Sequence, residues 1–251
     1  MAKIISIHSY RGGTGKSNTT ANLVTLLAQR GLRVGVVDTD IQSPGINTLF
    51  GLEQSDMKNS LNDYLWGQCS ISDAAYDVTG NLKTPVDGKV FLIPSSLNAG
   101  EIARVLREGY DVGLLDSGFQ ELIKKLELDA LLIDTHPGLN EETLLSIAIS
   151  DIVLLILRPD QQDYLGTSVT VEVARKLEVA ELLMAVNKVP AVFDFEEVKA
   201  TIGKTYNTEV AALMPHADEL MVLASAGIFA LEYPDHPVTQ ELQKLADRLL
   251  A

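Results

Sequence analysis

Ser9-Tyr10-Arg11-Gly12-Gly13-Thr14-Gly15-Lys16-Ser17-Asn18-Thr19 is the stretch on which the reading of this chain turns. An apolar run, Ile4-Ile5-Ser6-Ile7, precedes it, and a helix-like pattern from Ser17 to Arg30 follows. The order is strand, glycine-rich loop, helix. Gly12, Gly13 and Gly15 allow backbone torsions closed to other residues. Successive N–H groups can then turn inward as an anion cradle. Lys16 adds a point charge, Ser17 a hydroxyl suited to Mg²⁺, and the helix N-terminus a partial positive charge. The spelling G-x-x-x-x-G-K-[ST] would need glycine where this chain has Tyr10, and a basic residue, Arg11, stands directly before the Gly-Gly pair. The context reads as a cradle for nucleotide phosphates. A glycine-rich turn with an incidental lysine would not require Ser17 and a following helix.

Outward from this loop, apolar and β-branched runs recur at 3–9, 33–38, 89–94, 130–134, 151–157, 182–187 and 209–214. They are continuous rather than alternating, as strands covered on both faces should be. Helical patterns fill the gaps at 17–30, about 97–108, 141–149, 164–177, 195–203 and 238–250, with a short one at 61–66 that packs Tyr64 and Trp66 on the domain. Gly31 suits the end of the first helix. The alternation predicts an α/β chain: one domain over residues 1–251, doubly wound, with a mostly parallel sheet of about seven or eight strands flanked by helices. Right-handed crossovers place all strand C-termini on one edge, where such sheets bind ligands. Residues 56–89 carry the least pattern, and 81–88 read as a surface loop.

The chemistry-bearing residues fall at those strand ends. Arg33 to Asp40 is a strand running into two carboxylates, Asp38 and Asp40, with a turn separating their roles; either could instead cap the next loop. Ala130 to Asp134 is an apolar strand ending in Asp, a position from which a carboxylate can hold Mg²⁺ through its water shell while Ser17 coordinates directly. His136, just beyond, is open to two readings, a general base or a packing and hydrogen-bonding loop residue. Arg158 can reach a nucleotide or partner, or pair with Asp160. Asn187 ends another strand, and an amide offers the donor and acceptor that adenine requires.

Composition narrows the function classes. The 251 residues are 46% hydrophobic, enough for a large core, and carry a formal net charge of −14, with a pI near 4.6. Such a surface does not attract polyanions as a whole. Cys69 is the only cysteine, so no intrachain disulfide forms and no Cys-rich metal site can be built; a structural role in a reducing compartment is expected. The N-terminal sequence lacks the apolar core and cleavage site of a signal peptide, and no uninterrupted apolar stretch reaches membrane-spanning length. Arg104 and Arg107 sit among Glu101, Glu108 and Asp111 and are expected to be solvated.

R-G-G-T-G-K-S, residues 11–17, resembles the deviant Walker A motif, K-G-G-x-G-K-[ST], of the MinD/ParA family of P-loop ATPases. The resemblance extends to the D-x-D at Asp38 and Asp40, the Walker B form at Asp134, the switch II form at Thr135 to Gly138, the strand Phe91 to Ser96, and the turn after residue 157. The principal departure is Arg11, where the family carries its signature lysine. The resemblance implies ATP or ADP bound with Mg²⁺. Gly12, Gly13, Thr14, Gly15, Lys16, Ser17 and Asn18 would hold the phosphates, with a Gly138 amide near the terminal one. Asn187 and Pro215 would border the base, and Ser17, Asp38 and Asp134 would form the metal environment. Lys16, Asp40 and, reaching across a dimer, Arg11 would be catalytic. It implies an ATP-dependent homodimer that hydrolysis releases, in a slow cytoplasmic ATPase stimulated by an unidentified protein partner or activator. The output would be positioning or partitioning of DNA, an organelle or the division machinery. A nucleotide-gated adaptor with little turnover is the alternative: Asp40 favours the enzyme, Arg11 the adaptor. Metal-cluster loading is disfavoured by the single thiol. No basic membrane-anchoring tail is seen, because the helical pattern 238–250 looks needed for the core. From residue 191 onward there are 4 Lys/Arg against 10 Asp/Glu, and the turn 233–237 has no basic residue, which argues against nonspecific DNA binding.

Overall fold

The computed structural model describes residues 2–251, the side chain of Leu106 excepted. In chain order the elements are β1 (Lys3–His8), α1 (Lys16–Gln29), β2 (Arg33–Asp38), α2 (Ile46–Leu49), α3 (Leu61–Leu65), β3 (Tyr76–Asp77), β4 (Lys89–Ile93), α4 (Ala99–Glu108), α5 (Gly113–Lys125), β5 (Ala130–Asp134), α6 (Glu141–Ala148), β6 (Ile152–Leu157), α7 (Gln161–Lys176), β7 (Glu181–Val189), α8 (Phe195–Tyr206), β8 (Glu209–Pro215), α9 (Asp218–Leu223), α10 (Phe229–Glu232) and α11 (Pro237–Leu250).

One eight-stranded sheet runs β3-β4-β2-β5-β1-β6-β7-β8. Every pairing is parallel except that of the short edge strand β3 with β4. β1 is central, with β5 on one side and β6 on the other. The chain thus winds in both directions from β1, and the crevice at its C-terminal end is the topological switch point where such sheets bind ligands.

Strand parity assigns the two faces. Ile5 and Ile7 of β1 join Val34, Val36, Leu132 and Leu154 under α1, α10 and α11. Ile4, Val37, Leu131 and Ile133 face the other way, against Leu115, Phe119 and Leu122 of α5. Val153, Leu155, Met184 and Val186 continue that second face beneath α7 and α8. In α11, Leu242, Leu245 and Leu249 are buried while Leu250 is exposed, so this helix is a piece of the core, as its pattern predicts. Each of those buried leucines contributes roughly 1.5–3 kcal/mol of transfer free energy.

Two elements differ from expectation. α5 has no side-chain cap at Val112 and contains Gly113 and Gly118, so its start carries none of the usual signals; Gly118 is required because a Cβ there would press on Tyr64 at 2.9 Å. α7 begins at Gln161 rather than 164, because the Asp160 side chain accepts from the N–H groups of Gln162 and Asp163 and starts the helix a turn earlier.

Candidate active site

The loop from His8 to Lys16 curls over the C-terminal end of β1. Gly13 (φ +77°) and Gly15 (φ +95°) lie in the left-handed region, which glycine enters without strain. A Cβ on Gly15 would also come within 2.3 Å of Asn187 Nδ2. Gly12 stands in open space without such a torsion, so there the sequence-based argument from conformational freedom does not apply. The loop and the start of α1 wall a cavity of about 230 Å³, lined by Gly12 to Asn18 together with Ser9, Asp40 and Pro137. Lys16 is buried, and its Nζ donates to Asp134 Oδ1 at 2.9 Å.

Asp134 and Asp38 stand level on neighbouring strands, as register partners of β5 and β2. Asp38 accepts from Asp40 N at 3.0 Å and from Gly45 N at 3.2 Å, which fixes the turn after β2. Burial first, and then the charge of Asp134, pushes the Asp38 carboxyl up to about 8, against the opposing pull of Lys16. Two buried carboxylates facing one ammonium form a site that a divalent cation relieves. Among the described residues no group of three or more His, Cys, Asp or Glu side chains is arranged to hold a metal. Mg²⁺ does not need one: it takes one or two carboxylates, waters and substrate phosphates. Ser17, Asp38 and Asp134 fit that requirement.

Asp40 points into the cavity from the opposite wall. Its Oδ1 accepts from His136 Nδ1 at 2.6 Å and from Ser43 N at 3.1 Å. Gly138 (φ +86°) donates its N–H to Ser9 O at 3.1 Å, so this amide is engaged by the glycine-rich loop. Behind both lies His8, fully buried, whose Nδ1 is 2.8 Å from Thr135 Oγ1. Thr135 Oγ1 donates to Ile7 O at 3.0 Å, so the hydrogen of this contact belongs to His8. Its Nε2 has no partner. Burial, with Lys16 and His136 nearby, pulls the His8 ring down to about 3.

Arg11 is not beside Asp40. Its Nη1 lies 3.6 Å from Asp163 Oδ1 and 3.8 Å from Asp160 Oδ1. Arg158 shares both acids, with Nε 3.0 Å from Asp163 Oδ2 and an Nη 3.3 Å from Asp160. Tyr10 lies against α7 at Gly166, where a Cβ would overlap its ring. The residue before the Gly-Gly pair is therefore tied to the start of α7.

On the other flank, Asn187 Nδ2 donates to Thr14 O at 2.8 Å and Asn187 Oδ1 accepts from Lys188 N. Lys188, with a left-handed φ of +58°, donates its Nζ to Gly13 O at 2.9 Å; nothing in its sequence context singled it out. A second cavity of about 170 Å³ has Gly15, Asn18, Asn187, Met214, His216 and Met221 in its wall. It shares Gly15 and Asn18 with the first and is mainly apolar, suited to a base. Pro215 does not line it; its neighbours Met214 and His216 do.

The sequence profile of a family described as "AAA domain" matches residues 2–188. An uncharacterized ATP-binding protein of Methanocaldococcus jannaschii is 27% identical over 100% of this chain and 88% of its own length. An iron–sulfur cluster carrier protein of Pyrococcus furiosus is 26% identical over 73% of this chain and 60% of its own. The structure of the septum site-determining protein MinD of Pyrococcus horikoshii, complexed with Mg-ADP, superposes with a TM-score of 0.80 at 22% identity, covering 99% of this chain and 96% of that one. The chain belongs to the MinD/ParA family of P-loop ATPases.

Within the MinD/ParA pattern, the structure brings Lys16, Ser17 and Asp40 to one cavity and sets Asp38 and Asp134 behind it. Arg11 and Pro215 stand outside the direct lining. His136, Asp163 and Lys188 are the additions that sequence reading left unassigned. Each acts across a long sequence separation, 96 residues for His136 with Asp40 and 175 for Lys188 with Gly13.

Proposed function

We propose that the protein is a Mg²⁺-dependent ATPase of switch type: ATP binding joins two copies around the nucleotides, and hydrolysis separates them. The observation that carries the reading is the one cavity in which the glycine-rich loop, Lys16, Ser17 and Asp40 meet. In it the backbone N–H groups from Gly12 to Asn18 take the phosphates. Lys16 turns its charge from Asp134 toward the phosphate oxygens. Mg²⁺, when bound through Ser17 and the Asp38–Asp134 pair, supplies charge to the transferring phosphoryl group. Asp40 orients the attacking water, and Gly138 presents its N–H to the terminal phosphate once released from Ser9. Asn187 and the segment around Pro215 border the base. Arg11 leaves Asp160 and Asp163 to reach the partner's nucleotide. The output we infer is positioning or partitioning of DNA, an organelle or the division machinery in the cytoplasm, through an unidentified protein partner. Cluster carriage, the printed role of one relative, is disfavoured because Cys69 is the only thiol.

A second reading, a nucleotide-gated adaptor with little turnover, is favoured by one observation: Arg11 is held within its own chain. Phosphate release from labelled ATP by the purified protein with Mg²⁺ separates them. Turnover that Lys16→Ala and Asp40→Ala both lose supports the hydrolase. ATP binding without single-turnover hydrolysis supports the adaptor, and absence of ATP binding refutes both.

A further inference from the structure

The link between the two loops that follow β2 and β5 is a side-chain contact, His136 to Asp40. We propose that His136 is a positioning residue for hydrolysis: its Nδ1–H holds one oxygen of Asp40 so that the other faces the attacking water. This inference rests on the hydrolase reading.

The geometry assigns the roles. A carboxylate oxygen only accepts, so in the 2.6 Å contact with Asp40 Oδ1 the proton is on His136 Nδ1. The same Oδ1 takes the Ser43 amide at 3.1 Å. Among the described residues no hydrogen bond reaches Asp40 Oδ2. The backbone of Asp40 is fixed as well, its N–H donating to Asp38 Oδ1 at 3.0 Å. One oxygen is thus clamped from two directions and the other is free. His136 is itself anchored, since its carbonyl accepts from Thr143 Oγ1 at 3.3 Å, at the first turn of α6.

A histidine paired with an aspartate also suggests the reverse arrangement, in which Asp40 orients His136 as the base. The cavity wall argues against it. Asp40 lines the space shared with Lys16 and Ser17, and from the β5 loop Pro137, not His136, lines it. In hydrolysis the water oxygen bonds to the γ-phosphorus as the bond to the β–γ bridging oxygen breaks. The bridging pair leaves with ADP, and the water's proton ends on the inorganic phosphate. This step needs an oriented water more than a strong base, and misplacement by about 1 Å can cost on the order of 100-fold.

The test compares His136→Ala with His136→Asn, whose Nδ2 stands near the place of the imidazole Nδ1 and donates but cannot act as a base. Expected for His136→Ala is a kcat lower by about 10- to 100-fold with KM and calorimetric ATP affinity near wild type, and recovery of most of kcat in His136→Asn. Unchanged kcat in His136→Ala, or equal loss in both variants, overturns the proposal; the second result would make the ring itself the reacting group. Hydrogen exchange at the Ser43 amide in the nucleotide-free protein gives a readout independent of turnover. It should quicken in His136→Ala and return toward wild type in His136→Asn, and exchange unchanged in both counts against the clamp. If the wild type shows no hydrolysis, the hydrolase reading fails, and the exchange comparison alone decides whether His136 holds Asp40.

Discussion

Arg11 and Asp163 form an ion pair within one chain, Nη1 to Oδ1 at 3.6 Å, with Arg158 bonded to the same buried carboxylate. The cation expected to act on a partner's nucleotide is therefore held by the first turn of its own α7. Dimerisation around ATP has to exchange this contact for a phosphate. The cost is small, because Arg11 is partly exposed and such pairs are worth at most about 1 kcal/mol. A guanidinium gripping phosphate oxygens in bidentate fashion can outweigh it.

Asp160→Asn loosens this hold without removing the α7 cap, because Asn caps about as well as Asp. Sedimentation velocity with Mg-ATP should show more dimer than wild type at equal concentration, with thermal stability within about 0.5 kcal/mol. Less dimer in this variant would mean that the pair supports the dimer-competent state.

Lys16→Ala removes the ammonium from the phosphate cradle and from Asp134. Charge-assisted contacts of this kind are worth roughly 1.5–3 kcal/mol, so calorimetry should find no measurable ATP binding. Asp134 then stays buried beside Asp38 without its cation, and the nucleotide-free protein should lose on the order of 3 kcal/mol in denaturant unfolding. Retained ATP affinity would remove Lys16 from the site.

His8 gives a pH signature. Its folded value is about 3 against 6.5 for the free side chain. Between these values the unfolded chain binds a proton that the folded one excludes, so stability is complete above pH 6.5 and falls as pH drops toward 3. From pH 7 to pH 5 the loss from this group is about 2 kcal/mol. His8→Asn, which keeps a donor toward Thr135, should show a shallower decline than wild type over that interval. Parallel profiles would place the titration elsewhere.

The strands were legible because each is a continuous apolar run, and Asp38, Asp40 and Asp134 because strand ends are where this fold keeps its chemistry. The partner of Arg11 was not legible: Asp163 reads as an ordinary acid in a first helical turn, and only the sheet order brings α7 beside the glycine-rich loop. Likewise Lys188 gains its contact with Gly13 through a left-handed backbone turn that no residue preference signals. α5 escaped because its start lacks a cap and its glycine is there for Tyr64 rather than for a turn.

The C-terminal cations are spent on local partners. Arg248 bonds Glu209 and Glu181, Lys244 meets Glu241 at 2.5 Å, and Arg30 meets Asp247 at 2.5 Å. With a net charge of −14, retention on random duplex DNA at physiological salt should be weak, with or without ATP. Tight retention that falls steeply with salt in a filter-binding titration would reveal a basic surface completed by dimerisation.

The central claim is that Asp40 places the water in an ATP site built on Lys16 and Ser17. Single-turnover hydrolysis of Mg-ATP by Asp40→Ala, run beside sedimentation of the same samples, tests it most directly. The account predicts ATP bound at wild-type affinity, hydrolysis slowed by about 100-fold or more, and accumulation of dimer. Undiminished hydrolysis in Asp40→Ala, with ATP demonstrably bound, would contradict it.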